Sequence, residues 1–407
     1  DIMYWANFIH LYQPPTQEEW IVRKVADECY RAIIKVLKEN PQGKLTVNIN
    51  GSLTEQFHKY GMTDILQGLT ELAGRGQIEF TGSAMYHPIL PLIPEQEIRR
   101  QIRLNQEANK KYLGEIYRPR GFFPPEMCYS RRVAEIVKEE GFDWIIVDEL
   151  SYNGRLGKVK NDLTYQVEGL DDFYIFFKER KHSAALTYGA YKDLTGLING
   201  IGREKLKEDS YLLTGTDGEI YGHHHHGLEN LLREAFQSPE LETCVLSELL
   251  EFFPERESVE TVAASWSTWV DELEKGIAYP QWQYPGNHLH DLQWRLTNLA
   301  LKAMEETDDE DPARWYLDQG LHSCQYWWAS CRQYFNVEMI SKGADKLVEA
   351  VRAKGNATQI QEAEKLAKEL KKTAQEWEET GQAREIIRQY QQEHPDVASE
   401  LTFGGAK

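Results

Sequence analysis

The sequence predicts an α/β barrel followed by a helical region. From the start of the chain to about residue 216, short apolar runs alternate with amphipathic stretches that have helical spacing. Buried strands that alternate with helices form a parallel sheet, and seven such strands are too many for a small open sheet. After about residue 288 the strand pattern ends, and apolar residues recur at helical spacing. We therefore expect a catalytic barrel with inserted helical segments over residues 1–287. We expect a helical domain over residues 288–407 that packs on the barrel and contributes to its cleft.

The barrel is predicted from seven apolar runs and the helical patterns between them. The runs are Ile2–Leu11, Leu45–Asn50, Ile78–Gly82, Gly121–Phe123, Trp144–Asp148, Tyr174–Phe177 and Tyr211–Thr216. Helical patterns lie between several of them, at Glu18–Glu39, Glu95–Leu113 and Ser130–Glu140. Gly141 stands where it would end the third of these helices.

The C-terminal region is predicted to be helical throughout most of its length. Three sets of apolar residues recur at helical spacing, and they lie within Leu317–Trp328, Ile340–Val351 and Ala363–Trp377. Lys354–Thr358 has the composition of a loop between two helices. The segment from His394 to Lys407 is rich in glycine and polar residues, and we expect it to be loosely held.

The composition and charge exclude several classes of function. A formal net charge of −19 repels phosphate backbones and anionic lipids, so nucleic acid and membrane are poor partners, whereas a neutral substrate is compatible. No apolar run approaches the length of a membrane span. No signal-peptide pattern precedes the first run, although the chain begins at Asp1 rather than Met. The five cysteines are scattered and lack a CxxC pair, which indicates reduced thiols and a cytoplasmic location.

Polar residues follow the predicted strands at the points where the strands end. His10 and Gln13 follow the first strand, His87 follows the third, Glu126 follows the fourth, and Asp217 and Glu219 follow the seventh. In a β/α barrel the carboxyl ends of the strands form the active-site face. These side chains should therefore converge on one pocket, which predicts an enzyme.

Glu126 and Asp217 are the candidate catalytic groups. Cleavage of a glycosidic bond needs two carboxyl groups, one that attacks the sugar or activates water and one that protonates the leaving oxygen. Each residue also has a simpler explanation, because Glu126 could favour a helix N-terminus and Asp217 begins an Asp-Gly turn. The sequence does not give the separation of the two groups, so it leaves retention and inversion of configuration open.

Four consecutive histidines, His223 to His226, raise the question of a transition-metal site assisted by Glu219. Consecutive residues rarely point at one centre, so we favour a polar loop that lines a cleft. We expect neither a metal nor a cofactor. There is also no Gly-rich nucleotide fingerprint and no G-x-S-x-G elbow.

The motifs around these residues resemble glycoside hydrolase family 57, whose members process α-glucans. His10-Leu-Tyr12-Gln13-Pro14 resembles the first motif, of H-x-H-Q-P type, with Tyr12 in place of the second His. Gly76 to Ile89, which contains Tyr86 and His87, resembles the second. Gly121 to Glu126 resembles the third, G-x-W-x-x-E, with Phe123 in place of Trp, and Asp217 to Gly222 matches the D-G-E-x-x-G motif. Gln281–Trp294 and the segment around Trp327 resemble less sharply defined regions of the family.

The resemblance implies an incomplete (β/α)7 barrel with a helical domain behind it. It also implies a retaining double-displacement reaction without a metal, in which Glu126 is the nucleophile and Asp217 is the general acid/base. The residues expected to bind substrate are His10, Tyr12, Gln13, Tyr86, His87, Phe123, Glu219, Tyr221, His223, His224, Trp282, His288, Asp291 and Trp327.

Among the activities of the family, the tract after His87 and the modest length favour an amylase-like enzyme that hydrolyses α-1,4-glucans. A 4-α-glucanotransferase or a branching enzyme is the alternative within the family. The alternatives outside it are a non-catalytic glucan-binding protein and a metal-dependent deacetylase-like hydrolase. The sequence does not indicate an oligomeric state.

Overall fold

A computed structural model describes residues 2–395 of the chain and contains all seven predicted barrel strands. Three further strands, β6, β9 and β10, are only four residues long and lack a continuous apolar run, which is why the sequence pattern missed them. The strands are β1 Met3–Leu11, β2 Leu45–Ile49, β3 Ile78–Gly82, β4 Gly121–Phe122, β5 Trp144–Asp148, β6 Thr164–Val167, β7 Tyr174–Lys178, β8 Tyr211–Asp217, β9 Leu241–Cys244 and β10 Arg256–Val259.

The strands form one curled sheet in the order β10-β6-β7-β5-β4-β3-β2-β1-β8, and β9 pairs with the first half of β1. Neighbouring strands run parallel except β6 and β7. The two strands that would close the barrel, β7 and β8, do not pair along their length, although the N–H of Glu179 donates to Leu213 O at 2.8 Å. The predicted incomplete barrel is therefore confirmed.

The predicted helices are also present. The pattern over Glu18–Glu39 forms two α-helices joined by a π-helical turn at Ala26–Tyr30, and Glu95–Leu113 is one helix. The α-helices are α1 Glu19–Val25, α2 Arg31–Glu39, α3 Gly51–Lys59, α4 Thr63–Gly74, α5 Glu95–Leu113, α6 Arg131–Glu139, α7 Arg180–Thr187, α8 Leu194–Ile201, α9 Glu229–Gln237, α10 Leu246–Phe252, α11 Val270–Glu274, α12 His288–Met304, α13 Arg314–Gly320, α14 Cys324–Trp327, α15 Val337–Lys354, α16 Ala357–Glu379 and α17 Gln382–Glu393. Among the helices of residues 2–395, none combines the length and apolar composition of a membrane span.

The prediction for the C-terminal region holds as far as the structure describes it. The first apolar set is divided between the short helices α13 and α14, and α15 and α16 carry the second and third sets. The predicted loop is a short break between Lys354 and Ala357. Of the segment expected to be loosely held, the part after residue 395 lies outside the described residues.

The register of β1 positions the site. β1 lies between β2 and β8 in the curled sheet and is buried along almost its whole length. Its last polar residue, His10, pairs in register with Asn48 on β2 and with Asp217 on β8. Because the three strands are parallel, these polar side chains meet at the same edge of the sheet.

The helices from α12 onward pack against the barrel and share one hydrophobic core with β5, β7 and α6. Two crossed ion pairs between α5 and α13 lie in this interface. Arg100 pairs with Asp318 at 2.8 Å and Arg314 pairs with Glu97 at 2.5 Å, with all four residues buried. Since the core is continuous, a division into two domains at residue 288 remains a proposal.

We expect Arg100→Met to lower the free energy of unfolding by about 3–5 kcal/mol, because it leaves the buried carboxylate of Asp318 without its partner. The matched control is Arg103→Met on the same helix, where the pair with Asp309 is exposed. The control should cost less than about 1 kcal/mol. Urea unfolding followed by tryptophan fluorescence measures both. Equal losses would contradict the assigned role of the buried pair.

Candidate active site

A cavity of about 800 Å³ opens at the carboxyl ends of the barrel strands. Its wall combines residues that follow β1, β4, β7 and β8 with residues from α7, the loop before α11, α14 and α17. Eight of the residues predicted from the sequence line it, namely His10, Tyr12, Gln13, Glu126, Asp217, Glu219, His224 and Trp327.

Glu126 stands at the floor of this cavity in a constrained backbone. Pro124 and Pro125 follow β4 and directly precede Glu126. Glu126 and Met127 have φ values of 60° and 50°. This left-handed conformation is unfavourable for residues with a Cβ and is found mainly where surrounding structure enforces it. One carboxylate oxygen, Oε2, accepts the Nε1–H of Trp266 at 2.7 Å. The strained turn and the indole together fix the direction of the carboxyl group.

A chain of hydrogen bonds between two neutral imidazoles supports the cavity floor. His10 Nδ1 accepts from the Asn48 amide at 2.8 Å, so the His10 hydrogen is on Nε2 and is donated to His87 Nε2 at 3.0 Å. The hydrogen of His87 is therefore on Nδ1, 2.7 Å from Ser323 Oγ and 3.7 Å from Glu126 Oε1. Burial lowers the pKa of His10 to about 3 and that of His87 well below its usual value, so both rings stay neutral.

Asp217 is the last residue of β8 and Glu219 lies in the turn that follows it. Glu219 is buried, and its Oε1 accepts from the Tyr30 hydroxyl at 2.6 Å and from the N–H of Tyr12 at 3.1 Å. Asp217 has no such direct donor among the hydrogen bonds of residues 2–395, and the positive charge that acts on it comes from Lys178. The two carboxyl groups are therefore held in different ways.

The carboxyl groups disfavour one another's ionisation. Loss of water contact and the charge of Asp217 raise the pKa of Glu126 to about 8, against the opposing hydrogen bond from Trp266. Burial raises the pKa of Asp217 to about 6, although the ammonium group of Lys178 acts in the opposite direction. Burial and Asp217 also raise the pKa of Glu219. Perturbed carboxyl groups that converge in a cavity are a mark of functional sites.

Lys178 belongs to a buried ion network that connects the ends of β5 and β7. Lys178 Nζ lies 3.2 Å from Asp148 Oδ1, and Arg180 lies 2.7 Å from Asp148 Oδ2. Arg180 also donates to the carbonyl oxygens of Ser265 and Thr268, at 3.2 and 2.6 Å. The network thereby holds the loop that carries Trp266.

Sequence reasoning missed Lys178 and most of the aromatic wall. Lys178 is the last residue of β7, one residue beyond the predicted strand Tyr174–Phe177. The expectation that polar residues at strand ends form the site would therefore have identified it if the predicted strand had been one residue longer. Trp266 and Trp269 lie in an irregular loop with no periodic signal. The further residues of the wall that were missed include Trp20, Arg180, Gln281, Trp328, Arg332, Tyr334 and Tyr390.

Six predicted substrate-binding residues do not line the cavity. His87 and Phe123 are buried under the floor, where Phe123 packs 4.6 Å from the His10 ring and Tyr12 stacks 4.1 Å from the His87 ring. Tyr221 is buried against the Asn7 amide. Tyr86 lies near Glu55, and burial raises the pKa of its hydroxyl. Trp282 is buried against residues of α12 and α14. His223 pairs with Glu28 at 2.7 Å.

His288 and Asp291 are the two predicted residues that lie at a different place. They line a separate hollow of about 400 Å³ on α12, together with Trp294 and Arg295. Neither residue lines the cavity at the strand ends. The structure therefore does not bring these two residues into the candidate site.

The histidine run does not form a metal site. His223 bonds Glu28, His225 bonds Thr187 O and His226 bonds Gly222 O, so the rings point at different partners. Within residues 2–395, no group of three His, Cys, Asp or Glu side chains is arranged to hold a metal ion.

Cations line the cavity, but each already has a carboxylate partner. Lys178 and Arg180 pair with Asp148, Arg332 pairs with Glu272 at 2.5 Å, and Lys342 lies 3.0 Å from Glu18. An anionic ligand would have to compete with these partners. Among the described residues, the cavity offers hydroxyl, amide, indole and carboxyl groups to a neutral polar ligand.

The sequence resembles a known family of enzymes. The sequence model of glycosyl hydrolase family 57 matches residues 5–262. An alpha-amylase of Pyrococcus horikoshii is 26% identical over 222 residues, which are 53% of this chain and 34% of that protein. A 4-alpha-glucanotransferase of Thermococcus litoralis is 28% identical over 144 residues, 35% of this chain and 21% of that protein. The matches therefore span about a third or less of these relatives.

Solved structures share the fold. The 4-alpha-glucanotransferase from Thermococcus litoralis superposes with a TM-score of 0.69 at 20% identity, covering 86% of this chain and 60% of that chain. A branching enzyme from Thermococcus kodakaraensis superposes with a TM-score of 0.64 at 15% identity, covering 90% of this chain and 94% of that one. The family model covers more than half of the chain, from β1 through β10, and it includes both Glu126 and Asp217. The chain belongs to glycosyl hydrolase family 57.

Proposed function

We propose that the chain is a retaining enzyme that acts on α-1,4-glucans, with Glu126 as nucleophile and Asp217 as general acid/base. The observation that carries the proposal is the convergence of these two carboxyl groups on one cavity whose cations are already paired. Family membership supports the α-glucan, since its named relatives include amylases and glucanotransferases. The five cysteines are free thiols, which fits the proposed cytoplasmic location.

The reaction needs two displacements at the anomeric carbon. Glu126 attacks that carbon while Asp217 gives its proton to the departing glycosidic oxygen, and a glycosyl ester forms. Asp217 then removes a proton from water or from a sugar hydroxyl, which attacks the ester and releases Glu126 as a carboxylate. Each step inverts the configuration, so the product retains it. Asp217 ends protonated, as it began, because the proton from water or the sugar hydroxyl replaces the one that it gave to the leaving oxygen.

The protonation states place a condition on this assignment. Glu126 has the higher pKa of the pair, about 8 against about 6 for Asp217, whereas the roles require Asp217 to hold the proton. The two groups repel each other's charge, so a proton on Asp217 removes one cause of the raised pKa of Glu126. The Trp266 N–H at 2.7 Å then favours the Glu126 carboxylate. Lys178 favours the ionised form of Asp217, so the binding of sugar has to complete the change that brings the pKa of Glu126 below that of Asp217.

A neutral polysaccharide fits the lining better than an acidic one. The net charge of −19 disfavours uronates and sulfated chains, and the paired cations offer no free partner within residues 2–395. Aromatic rings such as Tyr12, Trp327 and Tyr334 line the cavity, and sugar C–H faces pack on such rings. Glucose units therefore suit both the charge and the shape.

The balance between hydrolysis and transfer depends on what attacks the glycosyl ester. We propose hydrolysis as the main reaction and keep 4-α-glucanotransfer as the alternative, since a relative and a structural neighbour both have that name. Transfer prevails when a second sugar occupies the cavity better than water does. Both reactions use the same two carboxyl groups.

We expect incubation with maltoheptaose to release shorter α-1,4-oligosaccharides whose first-formed reducing end is the α-anomer. Proton NMR of the initial product and chromatography of all products measure this. Glu126→Gln, which keeps the shape of the side chain but cannot form the ester, is the control and should abolish turnover. An initial β-anomer would contradict retention. Products longer than maltoheptaose would assign the chain to transfer instead of hydrolysis.

We expect Asp217→Asn to slow substrates with a poor leaving group by more than about a hundredfold, because protonation of the leaving oxygen is lost. An aryl α-glucoside with an acidic phenol needs little protonation and should lose far less in its first step. Burst kinetics on both substrate types measures the difference. Glu219→Gln is the matched control in the same loop. If Glu219→Gln showed the dependence on the leaving group and Asp217→Asn did not, Glu219 would be the acid.

A further inference from the structure

The last described helix, α17, reaches the cavity through one side chain. Tyr390 lines the cavity wall and is only 9% exposed. Its ring lies 4.8 Å from the guanidinium carbon of Arg332 and packs 4.5 Å from the His394 ring. These contacts hold the ring in place, although α17 lies outside the region that the family model matches.

The Tyr390 hydroxyl receives two hydrogen bonds and makes none within residues 2–395. Trp269 Nε1–H donates to it at 2.6 Å and Arg332 Nη2–H donates to it at 3.0 Å. A phenol oxygen has two lone pairs and one hydrogen, so these donors use its acceptor capacity. Neither partner can accept a hydrogen bond. The phenol hydrogen is thus left to a group that comes from the cavity.

The two donors are themselves fixed, so the hydroxyl has a defined position. Arg332 is buried, pairs with Glu272 at 2.5 Å and donates to Gln281 Oε1 at 2.6 Å. The Trp269 ring is stacked on the His394 ring at 6.0 Å. A donor that is already oriented binds a ligand oxygen without a further cost of ordering.

Tyr390 shares the cavity with the candidate reacting groups, but among the described residues it forms no hydrogen bond with them. One loop carries both Trp266, which bonds Glu126, and Trp269, which bonds Tyr390. Tyr390 itself is not among the hydrogen-bond partners of Glu126, Asp217 or Glu219. We therefore infer that a ligand group at Tyr390 belongs to a different sugar unit from the one that Glu126 attacks.

We propose that the Tyr390 hydroxyl, with Trp269 beside it, forms an outer subsite that donates a hydrogen bond to an oxygen of a glucose unit remote from the cleaved bond. The inference rests on the proposed function, because it takes an α-glucan as the ligand. Through this subsite, α17 contributes to the length of oligosaccharide that the enzyme prefers. An enzyme with this subsite prefers oligosaccharides long enough to reach Tyr390.

The test compares Tyr390→Phe with the wild type on maltoheptaose and on the shortest maltooligosaccharide that the wild type converts. One neutral hydrogen bond contributes about 0.5–1.5 kcal/mol. We therefore expect KM for maltoheptaose to rise about three- to tenfold, with kcat within about twofold and KM for the short substrate unchanged. Tyr326→Phe is the control, since its hydroxyl is buried against Thr297 outside the cavity. It should change neither KM.

Each other result decides against the subsite. An unchanged KM for maltoheptaose would mean that the hydroxyl does not bind the glucan. Equal losses on both substrates, or a Tyr390→Phe chain that does not fold, would mean that the hydroxyl holds the Trp269 loop in place instead. A wild-type chain that neither binds nor converts any α-glucan would contradict the proposed function itself, and with it the ligand class of this subsite.

Discussion

The site depends on one electrostatic constraint, which is that three carboxyl groups share a cavity with little water around them. Glu126, Asp217 and Glu219 each have a raised pKa because their charged forms lose hydration, and the charge of Asp217 raises the pKa of Glu126 and of Glu219 further. The fold offsets this cost separately for each group. An indole N–H donates a hydrogen bond to Glu126, and a phenol hydroxyl and a backbone N–H donate hydrogen bonds to Glu219. The charge of a buried ammonium group stabilises the ionised form of Asp217. Separate environments allow similar carboxyl groups to take different roles.

The same supports explain why distant parts of the chain meet at the site. Asp148 at the end of β5 holds both Lys178 and Arg180, and Arg180 in turn holds the carbonyl groups of the loop that carries Trp266. Arg332 ties that loop to α17 through Ser267 and Tyr390. The barrel thus supplies the reacting groups, and the C-terminal helices fix the loop that orients one of them.

Much of this could be predicted because the barrel strands have strong patterns. Each of the seven apolar runs became a strand, and the rule that parallel strands end on one face brought His10, Glu126 and Asp217 together. The other residues of the site are brought together by tertiary contacts that leave no periodic pattern in the sequence. Trp266 and Trp269 occupy a loop without periodicity, and α17 lies between the last apolar set and the C-terminal segment, where no element was predicted, so only its packing places Tyr390 on the cavity. His288 and Asp291 were predicted from a weak motif, and they line a separate hollow on α12 instead of the site.

The assignment of Glu126 as nucleophile is the central claim, and the order of the two pKa values makes its direct test informative. A 5-fluoro-α-maltosyl fluoride reacts in the first displacement because fluoride leaves readily, while the ring fluorine slows release of the ester. Intact-mass spectrometry followed by peptide mapping locates the sugar. We predict one added 5-fluoromaltosyl group on the peptide that contains Glu126, and none in Glu126→Gln. Label on the peptide that contains Asp217 would contradict the assignment and exchange the two roles.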